Sequence, residues 1–176
     1  QAIAWAFFLC VFATNCNNFE IMESSFLSFP EINLELLTKD LNIDTKPLWG
    51  NLNAWQMIEH LSDAIMVSIG EIEAPVFTDD DKVAKIKRKF IDSDSPFRKD
   101  FQSPIFRGDG IVFRNPTFKD AIHELNAYVA KFVAYYEQNP NKTNSHPVFG
   151  PLNKIDWERF HSKHFTHHFR QFGSIN

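Results

Sequence analysis

Lys154-Ile155-Asp156-Trp157-Glu158-Arg159-Phe160-His161-Ser162-Lys163-His164-Phe165-Thr166-His167-His168-Phe169-Arg170-Gln171-Phe172-Gly173 is the stretch on which the reading of the fold turns. At about 100° per residue, Trp157, His161, His164, His168 and Phe172 share one helical face, which should turn into a protein interior. The pattern predicts a helix over residues 154–172 with Gly173 as its cap. Four of the seven histidines fall between His161 and His168. His161 and His168 lie two turns apart and cannot share an ion. His164 therefore enters every workable pair: with His161 or His167 at i+3 spacing, or with His168 at i+4. The plainer reading is that these are core rings with a hydrogen-bond partner, or that His167, His168 and Arg170 complement the helix C-terminal dipole.

Two helical histidines leave a metal under-coordinated, so a third ligand must come from elsewhere. His60 supplies it if its own helix faces the last one. That helix is well marked. Asn53 is a good N-cap, and Gln56 three residues on completes a capping-box pair. Ala54, Met57, Ile58, Leu61, Ala64, Ile65 and Val67 recur at a helical period, and Gly70 ends the run. Glu59, Asp63 and Gln171 are close enough in sequence to orient the imidazoles from behind. Neutral imidazole suits zinc, nickel, iron or copper. Three protein ligands with open positions are the pattern of a catalytic site, where the ion activates bound water or thiol.

The remaining chain reads as helices between Pro, Gly and Asn breaks. A first helix is expected over residues 31–41 with Pro30 near its start, and a short basic helix over 81–91. The stretch 92–115, with Pro96, Pro104, Gly108 and Gly110, reads as a long excursion. A third main helix covers 117–138, and residues 145–151 form a rigid aromatic loop. No period-2 strand pattern competes, so the expected fold is all-α: a four-helix bundle with the excursion between its second and third main helices. Trp55 and Trp157 are expected in the core. Arg107 and Arg114, in the excursion, are candidates for a substrate carboxylate, with solvated arginines the plainer reading. His146 is read as a loop residue within reach of a pocket mouth, and His123 as an edge residue.

The 176 residues suit one domain, long enough to bury a core without a structural metal. Any ion is then functional rather than a folding staple. Nineteen phenylalanines foretell aromatic packing. With a net charge of −4, no basic stripe is available for nucleic acid. Lys82, Lys85, Lys87, Arg88 and Lys89 follow three aspartates and read as a solvated helix. Cys10 and Cys16 lack CxxC spacing and exclude a disulfide framework or a zinc ribbon.

Residues 2–13 are uncharged and apolar, too short for a stable membrane span but the length of a signal-peptide core. Met22 opens a segment that looks like an ordinary cytosolic start. Residues 1–21 are thus read as signal-like or non-native and residues 22–176 as the domain. The compartment expected is cytoplasmic, or exported if residues 1–13 are a working signal.

Trp49-Gly50-Asn51-Leu52-Asn53-Ala54-Trp55-Gln56-Met57-Ile58-Glu59-His60-Leu61 resembles the second-helix signature of the DinB/YfiT-like metalloenzyme superfamily, and residues 164–173 resemble its last helix. The loop His146-Pro147-Val148-Phe149-Gly150-Pro151-Leu152 looks like a feature of one uncharacterised subgroup, a domain of unknown function. The likeness covers residues 26–173. It implies a DinB-like four-helix bundle whose metal is held by one histidine on the second helix and two, four apart, on the last. Those positions are His60, His164 and His168, so the resemblance selects His168 where spacing left three pairs. It implies a divalent ion, zinc or nickel, and a metal-dependent enzyme acting on a small molecule. Relatives include transferases that use a low-molecular-weight thiol, and presumed hydrolases. The rival class is a non-catalytic bundle with a vestigial or structural site, acting through dimerisation or partner binding. The long excursion departs from the compact members and gives the pocket a different shape.

Overall fold

A computed structural model describes residues 26–99 and 113–176 of the chain. Residues 1–25, including both cysteines and the signal-like segment, lie outside the described residues, as do residues 100–112 with Arg107. Among the described residues the chain is mostly helical: α1 (Leu34–Thr38), α2 (Ala54–Ser68), α3 (Asp80–Phe90), α4 (Phe118–Gln138) and α5 (Lys154–Gln171), with strands β1 (Asn144–His146) and β2 (Gly150–Leu152) between α4 and α5. None of these helices is long and apolar enough to cross a membrane.

Local chemistry sets the ends of the helices that matter. Asn53 caps α2: its side chain accepts from the Gln56 amide while the Gln56 side chain accepts from the Asn53 amide. Asn153 and Asp156 repeat the device at the start of α5. Thr117 caps α4. Both α2 and α5 are followed by a glycine with positive φ, Gly70 at 75° and Gly173 at 71°, which a side chain would oppose.

Two expectations are corrected. The first helix is little more than a turn, beginning at Leu34 with Asn33 as its N-cap, and Pro30 sits upstream of it after a cis peptide bond. The loop expected at residues 145–151 is a hairpin, with Asn144 paired to Leu152, Ser145 to Pro151 and His146 to Gly150. Three-residue strands are too short to display an alternating pattern. His146 builds the turn: its Nδ1 accepts from the amides of Val148 (3.0 Å) and Phe149 (3.3 Å).

α2 packs against both α4 and α5. Met57, Ile58, Leu61 and Ile65 of α2, Leu125 and Phe132 of α4, and Trp157, Phe165 and Phe169 of α5 are all fully buried. Removing each such side chain from water contributes about 1.5–3 kcal/mol. Rings dominate, as the phenylalanine count foretold: Phe29 meets Phe132 edge-on at 5.0 Å and lies 5.3 Å from Phe165. Trp157 is core; Trp55 is only partly buried and stacks on Phe113 at 4.4 Å. The Tyr136 hydroxyl and the Asn144 amide both donate to the Ser68 carbonyl at 2.8 Å, closing the C-terminal end of α2.

Glu59 ties α2 to the start of α4. Its carboxylate accepts from the amides of Arg114 (3.2 Å) and Asn115 (2.8 Å), from the Asn115 side chain (3.0 Å) and from Trp55 Nε1 (3.3 Å). Burial alone would raise the Glu59 pKa, but these hydrogen bonds, Asn115 foremost, hold it below the usual carboxylate value. Glu59→Ala would strand those donors, so it should cost about 2–4 kcal/mol of unfolding free energy in urea. None of these hydrogen bonds involves a histidine, so the loss should be one of stability alone.

Candidate metal centre

The structure brings His60 of α2 together with His164 and His168 of α5. Their ligand atoms all lie within 4.8 Å of one another. His60 Nε2 is 2.8 Å from His164 Nε2, and His168 Nε2 is 3.1 Å from it. His164 and His168 are 5% and 6% exposed, and His60 is partly buried. The rings meet nearly at right angles, with centroids 4.7 to 5.0 Å apart. Imidazole nitrogens on one ion, each about 2.0–2.1 Å from it, sit about 3 Å from each other. The two distances that meet at His164 Nε2 fit that spacing; the group as a whole spans up to 4.8 Å, so His60 and His168 would draw closer to share one cation.

Proton bookkeeping points the same way. Gln171 Nε2 donates to the Trp49 carbonyl at 2.8 Å, which leaves Gln171 Oε1 facing His168 Nδ1 at 2.9 Å as an acceptor. The network thus assigns the proton of His168 to Nδ1 and a lone pair to its Nε2. His164 Nε2 has two nitrogens facing it and at most one proton to offer. Charging the rings is no remedy. Burial, foremost, and the neighbouring histidines hold His164 well below its ordinary value. Burial and then His60 and His167 do the same for His168, though Gln171 opposes the shift. Burial, with His167 nearby, lowers His60 to about 4. Three neutral rings that turn nitrogens toward one point offer lone pairs that a cation can take.

The surroundings are aromatic. Phe160 and Phe97 lie 5.1 and 5.6 Å from His164, and Phe97 also lies 5.5 Å from His167. Trp49 meets the His167 ring edge-on at 5.8 Å. A buried lysine on α5 anchors the segment that leads to Phe97. Lys163 Nζ donates to the carbonyls of Phe90 and Ser93, and to Ser95 at 3.1 Å, closing the C-terminal end of α3. Nothing in the sequence pattern marks that lysine, because its acceptors are backbone atoms about seventy residues away.

The other histidines stand apart. His161 is fully buried yet outside the cluster, His167 is partly buried at its edge, and His123 is exposed. Of the three groups expected to orient the imidazoles, only Gln171 does so. Glu59 holds Asn115, and Asp63 pairs with Arg114 at 2.6 Å. Arg114 is taken by Asp63 and Glu124 and is not a free carboxylate receptor.

Gly50 supports the centre from behind. Its φ is +75°, and a Cβ there would lie 2.7 Å from Gln171 Nε2, the atom bonded to the Trp49 carbonyl. Gly50→Ala should lose about 1–2 kcal/mol from backbone strain and weaken zinc binding about tenfold by displacing the group that orients His168. Gly70→Ala is the control. It has the same φ, and its Cβ would meet Asn144 Oδ1 at 2.9 Å. It should lose stability in urea and keep its zinc affinity in a chelator competition.

A family model described as a protein of unknown function (DUF1569) matches residues 114–174. The matched segment contains α4, the hairpin and α5, and so His164 and His168 but not His60. No curated protein and no solved structure matches the chain.

Proposed function

We propose that His60, His164 and His168 hold one divalent metal ion, zinc or nickel, and that residues 22–176 form a DinB-like four-helix domain that works as a metal-dependent enzyme on a small molecule. The convergence of three neutral ring nitrogens within 4.8 Å carries the reading. Among the described residues no fourth histidine, cysteine or carboxylate joins the group, which leaves coordination positions for an exogenous ligand. A bound ion would lower the pKa of water or of a thiol and polarise the substrate. The chain's own residues do the rest. Gln171 fixes the tautomer of His168, and Phe97 and Phe160 keep bulk water from His164. Thiol transfer and hydrolysis both suit such a site.

One observation favours the rival, a structural or vestigial ion in a non-catalytic domain: His164 and His168 are almost fully enclosed. Cobalt substitution separates the two. Chain purified without a histidine tag should contain close to one equivalent of metal, and its cobalt form should change its visible spectrum when a small thiol is added. A spectrum indifferent to thiol favours the structural ion. Substoichiometric metal ends the enzyme reading and the structural ion, and leaves the non-catalytic domain with a vestigial site.

A further inference from the structure

We infer that His161 positions His164 through a buried water, as the acceptor behind this ligand of the centre. The inference deepens the metal reading above and rests on it. Trp157, His161 and His164 follow one another along the inward face of α5. Four of their ring nitrogens are buried and have no hydrogen-bond partner: Trp157 Nε1, both nitrogens of His161, and His164 Nδ1. The walls offer none, since His161 is packed by Phe29 at 4.7 Å, Phe160 at 5.4 Å, Trp157 at 5.5 Å and Phe132 at 5.6 Å. Each stranded polar group in such a wall costs about 1–3 kcal/mol. Four along one buried helix face call for a mediator, and a buried water making about three hydrogen bonds is the usual one.

The metal reading sets the direction of the bonds. A histidine that ligates through Nε2 carries its proton on Nδ1, and that N–H needs an acceptor behind it. His168 has Gln171 in this role. His164 has no such side chain, and the neutral His161 ring, one turn earlier, offers a lone pair. One water accepts from His164 Nδ1–H and donates to His161. His161 then holds the orientation of a ligand without touching the ion.

Zinc affinity of the untagged chain, read by competition with a chromophoric chelator, tests this. His161→Phe should bind zinc about ten- to a hundredfold more weakly than the parent chain. Its metal-free melting temperature should not fall, because a phenyl ring fills the space without stranded nitrogens. His161→Gln, which restores an acceptor, should stay within about threefold of the parent. His161→Phe binding as tightly as the parent would overturn the inference and leave the metal reading intact, while a parent chain that binds no zinc would remove both. If His161→Phe does not fold, a high-resolution crystal structure of the parent decides. A water bonded to both His161 and His164 Nδ1 supports the inference, and its absence overturns it.

Discussion

Zinc added to the metal-free chain should raise its melting temperature by about 8–16 °C, and His164→Ala should abolish the rise. A ligand that binds only the folded state, at about a thousand times its dissociation constant, adds about 4.1 kcal/mol. In a domain of this size each kcal/mol moves the midpoint by about 2–4 °C. His164 is the member to remove because both short contacts run through it, 2.8 Å to His60 and 3.1 Å to His168. Without it, two rings on different helices are left with no nitrogen between them. The quantity read is the zinc-dependent increment. The cavity left by the missing ring weakens both forms of the variant and largely cancels. A variant that keeps the full increment would place the ion elsewhere, and no increment in the parent would end the metal reading. Differential scanning calorimetry with and without chelator makes the measurement.

The buried face of α5 is legible in the sequence and the contacts that cross the fold are not, and the reason is range. Helical spacing places Trp157, His161, His164, His168 and Phe172 on one stripe, and the structure buries all five. The capping box at Asn53 and Gln56 marks the start of α2 correctly because its partners are three residues apart. Spacing could not separate His161 from His168, since both share the stripe. The choice depends on where α2 carries His60, a contact between residues 104 apart. The same limit hid Glu59: its nearness to His60 suggested an orienting role, whereas its partners, Arg114 and Asn115, lie 55 and 56 residues away. The hairpin escaped for the opposite reason. Its strands are so short that the ordering force is local, two backbone N–H groups donating to His146 Nδ1, and no hydrophobic pattern records it.

Acid should unfold the metal-free chain in a window set by its enclosed histidines. Burial, chiefly, lowers His146 and His161 to about 3, with His146 adding to the effect on His161. An unfolded histidine titrates near pH 6.5. Below that pH the unfolded chain binds protons that the folded chain refuses, so stability is full above about 6.5 and is lost as pH falls toward the folded values. Each such ring withdraws about 1.4 kcal/mol per pH unit, so these two together remove about 3 kcal/mol by pH 5.5. His164 and His168, held well below their ordinary value mainly by burial, act in the same direction, as does His60 at about 4. A whole domain commonly has only 5–15 kcal/mol to lose, so the urea midpoint should collapse between pH 6.5 and 5. Zinc should move the collapse downward, because protons reach His60, His164 and His168 only as the ion leaves. His161→Phe removes one titrating ring and should flatten the slope by about 1.4 kcal/mol per pH unit, with or without the ion. A urea midpoint unchanged from pH 7.5 to 5 would mean that these rings are protonated as readily in the folded chain as in the unfolded one. Their enclosure by Phe29, Phe132, Trp157 and Phe160 would then have to be looser than the ring distances describe.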